Sequence, residues 1–234
     1  MIGIIDYGMG NLKSVENAFC KLGFEVFVTA KPNELDRADR IVLSGTGAFE
    51  GAIQALRSQG WVKKIKTAIR RGKPFLGISL GMQLLFETSE ENGTHEGLGI
   101  FPGKVTRIPN LKIPHMGWNR LEIRKESDIF SVRDSNDNYV YFAHSYRAEA
   151  DPAYVSASTF YGTDLTAAVE RDNVYALQFH PEKSGPTGIE ILKRFALVQP
   201  KSLRRVVSLR KPTYGAALFF GSYYGGYVDS FPRH

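Results

Sequence analysis

The chain has 234 residues, 43% hydrophobic and 23% charged, with 30 basic and 24 acidic side chains and a single cysteine. This length suits one domain with a sizeable core or two small ones, and one cysteine excludes both an intramolecular disulfide scaffold and a cysteine-rich metal site. The net charge of +6 lies almost wholly in residues 197–234, so the body of the chain lacks the basic excess that is typical of a nucleic-acid binder.

The first 90 residues alternate apolar runs of strand length with segments of helical periodicity. The pattern predicts strands at 2–5, 24–29, 41–44 and 74–79. It predicts helices over 12–22, over 49–71 with a break near Gly60, and over 80–87. Such alternation is typical of βαβ units on a parallel sheet with right-handed crossovers.

After residue 92 the apolar runs become short and alternating, with turn residues between them, which indicates strands and hairpins. These strands are predicted at 104–108, 120–124, 139–143, 154–160, 166–170 and 174–178, and a last helix at 188–196. We therefore expect one α/β domain over residues 1–196, whose later strands extend the sheet or pack against it. Residues 197–234 form a basic tail, rich in glycine and aromatic side chains, to which no role can be assigned.

The strongest local motif is the pentapeptide G-I-S-L-G from Gly77 to Gly81, where a buried strand meets a helix. Its glycines permit the tight turn of a nucleophile elbow, which lifts the side chain of Ser79 out of the sheet. The N–H groups at the start of the following helix can then stabilise an oxyanion. A tight turn without catalysis would have the same sequence, so the interpretation requires a general base.

A candidate base follows the strand predicted at 174–178. His180 can accept the proton of Ser79, and Glu182 can orient the imidazole and stabilise its cation. The alternative is a histidine that caps a strand end. Ligands of open α/β sheets bind outside the carboxyl ends of the strands, where both segments lie, which favours a site. In an α/β-hydrolase esterase the acid precedes the histidine, and here it follows, which argues against that class.

Five segments of the chain together indicate a protein family. They read D-Y-G-M-G-N-L from Asp6, G-I-S-L-G-M-Q-L-L-F-E from Gly77, P-H-M-G-W-N from Pro114, Y-F-A-H-S-Y from Tyr141 and Q-F-H-P-E-K-S from Gln178. Over residues 1 to about 196, the chain resembles the glutaminase subunit of imidazole glycerol phosphate synthase, a class I (triad-type) glutamine amidotransferase. The resemblance implies a flavodoxin-like α/β fold, with a central, mostly parallel sheet flanked by helices and with additional antiparallel strands.

The resemblance also implies an activity and a partner. The family hydrolyses glutamine to glutamate and ammonia without a cofactor. The ammonia passes to a (β/α)8-barrel cyclase, with which the glutaminase forms a heterodimer in histidine biosynthesis.

By the same resemblance, Ser79, His180 and Glu182 stand in the places of the catalytic residues. The oxyanion donors are implied to come from the backbone at Gly45, Thr46 and Leu80. Contacts with glutamine are implied for Gly47, Gln83, Glu91, His144, Ser145 and Tyr146. Contacts with the cyclase are implied for Asn11, Trp118, Asn119, Tyr141 and Lys183. From the residues alone, Gln83 could instead be a surface amide, Glu91 a solvated loop residue and Trp118 a core residue.

The chain departs from the family pattern at two places. The family has cysteine at the elbow, where this chain has Ser79, and the only cysteine, Cys20, lies off the apolar face of the first predicted helix. A serine hydroxyl is a far weaker acid than a thiol, so we expect little or no glutaminase activity. The rest of the site is intact, which favours a deliberate exchange of cysteine for serine over natural decay. In the loop from Ser44 to Gly47, S-G-T-G replaces P-G-V-G, so preorganisation by proline is lost.

Three other hypotheses stay open: a natural pseudo-glutaminase that modulates a cyclase, an amidotransferase that supplies a related barrel synthase, and a serine hydrolase. The five histidines show no metal-ligand spacing, so no metal site is predicted. Residues 1–10 show no basic leader, and no uncharged apolar run approaches the roughly 20 residues of a membrane span. With one cysteine, these features predict a cytoplasmic protein with neither a membrane nor a nucleic-acid partner.

Overall fold

The structure is a computed structural model that describes residues 1–109, 112–131 and 138–201. Its strands are β1 (Ile2–Ile5), β2 (Val26–Thr29), β3 (Arg40–Gly45), β4 (Phe75–Ser79), β5 (Phe86–Ser89), β6 (His95–Glu96), β7 (Phe101–Arg107), β8 (His115–Arg120), β9 (Glu122–Ile123), β10 (Tyr139–His144), β11 (Tyr146–Ala150), β12 (Val155–Phe160), β13 (Asp164–Arg171) and β14 (Val174–Leu177). Its α-helices are α1 (Leu12–Lys21), α2 (Phe49–Ser58), α3 (Trp61–Arg70), α4 (Leu80–Gln83) and α5 (Gly185–Leu197).

An eight-stranded sheet has the order β2-β1-β3-β4-β14-β13-β12-β9. Its first five strands run parallel to their neighbours, and the remaining pairings are antiparallel. The predicted βαβ half and the later strands that extend its sheet are therefore confirmed. A four-stranded sheet, β11-β7-β5-β6, and the antiparallel pair β10-β8 complete the fold.

The strands of the large sheet separate two apolar clusters, because successive side chains point to opposite faces. In β3, Leu43 joins the cluster that contains Trp61 of α3. Its neighbour Val42 joins the opposite cluster, which contains Phe19 of α1 and Phe195 of α5. The burial of β1, β3, β4 and β14 on both faces accounts for their near-continuous apolar runs in the sequence.

In the first half of the chain, one predicted helix boundary is confirmed and another is wrong. The break between α2 and α3 lies at Gly60, as expected, and this residue has a φ of 80°. The helix predicted over 80–87, however, is wrong in extent, since α4 ends at Gln83 and β5 begins at Phe86. The intervening Leu84 and Leu85 are fully buried and accept backbone hydrogen bonds from residues 98, 100 and 101. A run that is apolar on every side has no helical period to mark where a helix stops.

The single strand predicted at 120–124 is also wrong in extent. It belongs to two elements, the end of β8 and the short β9, which lie in different sheets. At the C-terminus, α5 continues to Leu197 and Val198 is buried, so the chain remains in the fold just past the expected boundary. The predicted tail from residue 202 onward lies outside the described residues. No helix in the described ranges combines the length and apolar character needed to span a bilayer.

Candidate active site

Ser79 lies at the junction of β4 and α4 in a conformation that most residues avoid. Its φ is 55° and its ψ is −114°, and its side chain is almost completely buried. A Cβ on Gly81 would overlap the carbonyl oxygen of Leu43, and a Cβ on Gly77 would lie 2.8 Å from the carbonyl oxygen of Gly81. Both flanking positions therefore require glycine, as the elbow interpretation predicts, and the strained serine is typical of a functional turn.

The candidate base lies at the end of the neighbouring strand. Because β14 runs parallel to β4 with Leu177 opposite Ile78, the residues that follow the two strands emerge at the same sheet edge. His180 Nδ1 lies 2.9 Å from Glu182 Oε1, and both side chains are almost fully buried. Since a carboxylate only accepts, Nδ1 carries the proton and Nε2 has the free lone pair that a general base needs.

Backbone contacts fix this histidine. The His180 N–H donates to the Tyr141 carbonyl at 2.9 Å, and the Ser184 hydroxyl donates to the His180 carbonyl at 2.6 Å. The second oxygen of Glu182, Oε2, is buried and has no hydrogen-bond partner among the described residues. A buried carboxylate beside the ring can stabilise the imidazolium that forms when His180 accepts a proton.

The predicted oxyanion loop lies next to Ser79 and Tyr7. Gly45 ends β3 and lies opposite Ser79 in the sheet, while Thr46 and Gly47 are exposed. A Cβ on Gly45 would overlap the hydroxyl of Tyr7, so this position requires glycine. The loop therefore lies beside the elbow, and the roles of its N–H groups and of the Leu80 N–H as oxyanion donors stay a prediction.

Two side chains predicted to bind glutamine have defined partners. Gln83 is buried, and its Nε2 donates to the Tyr146 carbonyl at 3.1 Å and to Gln178 Oε1 at 3.0 Å. It is therefore not a surface amide. The carboxylate of Glu91 lies at the start of α2, where its Oε2 accepts the Phe49 N–H at 2.8 Å, so Glu91 is not simply a solvated loop residue.

The segment at His144 and Ser145, also predicted to contact glutamine, is held by hydrogen bonds to the backbone. The His144 ring is buried, and its Nδ1 lies 2.8 Å from the Tyr146 carbonyl oxygen. Burial lowers the pKa of His144 to about 4, so the ring is neutral at physiological pH. The Ser145 carbonyl accepts the N–H of Ile108 at 3.0 Å, which ties this segment to the chain beyond β7.

Three of the residues predicted to contact a cyclase share one exposed face. Trp118 is 56% exposed and forms a cross-strand pair with Tyr141, with ring centroids 6.3 Å apart. Lys183 Nζ lies 6.0 Å from the centre of the Tyr141 ring. The interpretation of Trp118 as a core residue is thus wrong; the fully buried tryptophan is Trp61. An exposed tryptophan beside a second ring and a cation is typical of an interface anchor.

The other two predicted contacts lie elsewhere. Asn11 caps α1, its Oδ1 accepting the Ser14 N–H at 3.4 Å. Asn119 follows Trp118 in β8, and its Nδ2 donates to the Phe160 carbonyl at 3.0 Å and lies 3.2 Å from His115 Nε2. Their contribution to a partner interface remains a prediction.

Sequence reasoning missed two buried polar contacts. His115 Nδ1 lies 3.0 Å from His144 Nε2, although the two residues are 29 apart in sequence. Gln178 holds the Gln83 amide, and its own Nε2 is buried without a partner in the described part of the chain. His115 and Gln178 lie in two of the motifs quoted above. The motifs mark these residues, but they do not indicate which residues they contact.

Comparison with known proteins shows the family. Residues 3–198 match the family model Glutamine amidotransferase class-I. The chain is 49% identical over 205 residues to imidazole glycerol phosphate synthase subunit HisH of Geobacter metallireducens, covering 84% of this chain and 97% of that protein. It is 50% identical over 204 residues to the same subunit of Syntrophotalea carbinolica, covering 83% and 98%.

Solved structures agree on the fold. The structure of PurLQS from Thermotoga maritima matches with a TM-score of 0.69 at 20% identity, over 83% of this chain and 96% of that one. A crystal structure of a glutamine amidotransferase matches with a TM-score of 0.66 at 18% identity, over 84% and 99%. The chain therefore belongs to the class-I glutamine amidotransferases, and its resemblance to the glutaminase subunit of imidazole glycerol phosphate synthase is confirmed.

Proposed function

We propose that this chain acts in histidine biosynthesis as the glutaminase subunit of an imidazole glycerol phosphate synthase, in a form whose nucleophile position is occupied by Ser79. The observation that carries the proposal is the buried pair of His180 and Glu182, at 2.9 Å, which follows the strand next to the Ser79 elbow. Relatives about half identical in sequence are HisH subunits of that synthase.

The catalytic steps follow from the two neighbouring strand ends. The hydroxyl of Ser79 would attack the carboxamide carbon of glutamine while His180 Nε2 takes its proton. The backbone N–H groups of the loop 45–46 and of Leu80 would stabilise the oxyanion. His180 would then give the proton to the departing ammonia, and water would release glutamate from the acyl-enzyme. Glu182 would stabilise the imidazolium through these steps.

The first of these steps is the one that serine impairs. In the family a cysteine thiolate is the nucleophile, and a thiol has an unperturbed pKa of about 8.5. A serine hydroxyl must instead be deprotonated during the attack itself. We therefore propose that the chain binds glutamine but turns it over slowly or not at all.

Two acceptor oxygens are available to hold glutamine. The Gln83 amide donates both of its hydrogen atoms to protein groups, so its Oε1 remains to accept from the substrate. Glu91 uses Oε2 for the Phe49 N–H, which leaves Oε1 for an α-ammonium group. The backbone from His144 to Tyr146, together with Gly47, would contact the other end of the substrate.

We further propose that the exposed face of Trp118, Tyr141 and Lys183 binds a (β/α)8-barrel cyclase, which receives the ammonia. These side chains lie together at the surface, and Tyr141 also contacts the catalytic segment through its backbone bonds to His180 and Ser184. Partner binding and catalysis would therefore share β10. The site lies within the domain 1–196, and a cytoplasmic location is consistent with the free, exposed Cys20.

The test is a glutaminase assay on the parent chain, Ser79→Cys and Ser79→Ala, each with and without the cyclase subunit of the synthase and its substrate. We expect activity that the partner stimulates only in Ser79→Cys. His180→Asn in the Ser79→Cys background should remove it again. Rapid glutamine turnover by the parent chain would refute the proposed impairment.

The same assay decides between this proposal and a natural pseudo-glutaminase, which the serine at the elbow also favours. If Ser79→Cys stays inert but the chain still binds and modulates a cyclase, the pseudo-glutaminase is correct. Ester hydrolysis that is lost in Ser79→Ala would instead indicate a serine hydrolase.

The interface is tested separately by measuring the affinity for the cyclase. Trp118→Ala should weaken binding roughly tenfold or more, as expected for an anchor residue, and Lys183→Ala should weaken it less. Leu197→Ala is the matched control, because this residue is also an exposed apolar side chain but lies at the end of α5. Unchanged affinity in both interface variants would contradict the assignment.

A further inference from the structure

Two buried histidines lie in an unbroken series of hydrogen bonds. His144 Nδ1 is 2.8 Å from the Tyr146 carbonyl oxygen, and His144 Nε2 is 3.0 Å from His115 Nδ1. His115 Nε2 is in turn 3.2 Å from Asn119 Nδ2. Only 3% of His115 and 6% of His144 are exposed, so water contributes little to these contacts.

The chemistry of the two ends fixes every proton in this series. A carbonyl oxygen only accepts, so the Tyr146 carbonyl requires a proton on His144 Nδ1, which leaves His144 Nε2 as an acceptor. His115 must then donate from Nδ1, and its Nε2 must accept from the amide of Asn119. Burial lowers the pKa of both rings, which keeps them neutral and preserves this single arrangement.

Packing also fixes the ring of His115. It is stacked between Phe142 and Tyr161, with ring centroids 4.7 Å and 4.2 Å away and interplanar angles of 23° on each side. The plane of the ring is therefore fixed, because a tilt of the ring out of this plane would lose both stacking contacts.

The inner end of the series reaches the proposed glutamine site. The Tyr146 carbonyl that accepts from His144 also accepts from Gln83 Nε2, and Gln83 donates to Gln178 Oε1. Gln83 lies on the helix that follows Ser79, and Gln178 lies on the segment that leads to His180. One carbonyl oxygen thus connects the histidine pair to the amide side chain that would hold the substrate.

We propose that His115 and His144 are positioning residues, which hold the Tyr146 carbonyl and thereby the Gln83 side chain in the geometry that binds glutamine. This inference rests on the proposed glutaminase function. His144 acts on the carbonyl directly, whereas His115 acts only through His144. Asn119, half-buried at the outer end, completes the series.

His115 offers a matched pair of variants for the test, made in the Ser79→Cys form. Asparagine and leucine have similar size, and both remove the ring stacking, but only the asparagine amide can replace the Nδ1–H donor toward His144. We expect His115→Leu to raise the KM for glutamine about 5- to 20-fold with kcat changed less than about twofold, as for lost ground-state binding. His115→Asn should stay within about threefold of the parent KM.

A histidine outside the series is the control. His95 lies in β6 of the four-stranded sheet, and His95→Leu should leave both kinetic constants unchanged. Equal KM values in His115→Leu and His115→Asn would overturn the inference, because donation from position 115 would then have no effect. If Ser79→Cys shows no glutaminase activity at all, the proposed function fails instead.

A second measurement needs no activity and no substitution. Two-bond ¹⁵N–¹H correlation spectra of the full chain with Ser79 report which ring nitrogen of each histidine carries the proton. At pH 7 we expect His115 and His144 both to be neutral with the proton on Nδ1. A proton on Nε2 of either ring, or a charged ring, would contradict the proposed series even if the variants failed to fold.

Discussion

Acidification should destabilise this fold through His144, and the size of the effect follows from its burial. Burial lowers the pKa of His144 to about 4, from an ordinary value of 6.5, although the bond to the Tyr146 carbonyl acts in the opposite direction. The unfolded chain therefore binds a proton more tightly than the folded chain. Stability is lost as the pH falls below 6.5, and the loss is complete below about pH 4.

The magnitude can be worked out from these two values. The difference between the ordinary pKa of 6.5 and the folded pKa of about 4 corresponds to about 3 kcal/mol at full effect. Between pH 7 and pH 5 the loss from this one group is about 2 kcal/mol. That is a large part of the roughly 5 to 15 kcal/mol that holds a typical domain folded.

The assay is urea unfolding of the parent and of His144→Asn at pH 7 and pH 5. The asparagine amide can still donate to the Tyr146 carbonyl but does not titrate in this range. His115 from β8 and His180 from the loop after β14 face His144, and both are retained in the two proteins. We expect the parent to lose about 2 kcal/mol more than the variant. Equal losses, within about 0.5 kcal/mol, would refute this account of His144.

Three further predictions concern packing, burial and a helix terminus. Gly81→Ala should destabilise the fold by about 3 kcal/mol or prevent folding, since its Cβ would overlap the Leu43 carbonyl oxygen; thermal unfolding measures this. Glu170→Gln should raise the unfolding free energy at pH 7, because burial raises the pKa of Glu170 and the stability associated with its neutral form is lost as the pH rises; a variant less stable than the parent would contradict this. Glu91→Ala should cost about 1 kcal/mol, measured by urea unfolding, by leaving the Phe49 N–H without its carboxylate.

The fold from β1 to β4 could be predicted because its helices and its strands each show one clear period. Helix α1 shows its apolar residues at helical spacing, with Val15, Ala18 and Phe19 buried, and the parallel strands are short apolar runs. The four-stranded sheet could not be predicted. Its strand β11 pairs with β7, so that residue 146 lies opposite residue 107, and β6 has only two residues. Pairing between short, distant segments depends on tertiary packing and not on any local pattern.

The elbow at Ser79 and the contact between His180 and Glu182 could be predicted because both are local, one within a turn motif and the other between residues two positions apart. The partners of Gln83 could not, because they come from the segments around Tyr146 and Gln178, 63 and 95 residues away. Each of these residues lies in a motif, but the motifs do not predict the hydrogen bonds between them. Which polar side chains become buried together depends on the tertiary fold, and no local pattern encodes it.

The register of the β8–β10 pair explains how one pair of strands can serve both the surface and the site. His115 lies opposite His144, and three residues further along Trp118 lies opposite Tyr141. Positions an odd number apart in a strand point to opposite faces, so the histidine pair is buried while the aromatic pair faces outward. A slip of one residue would turn a histidine outward and an aromatic ring inward. The register is therefore fixed twice, by the buried hydrogen bonds on one face and by the exposed aromatic pair on the other.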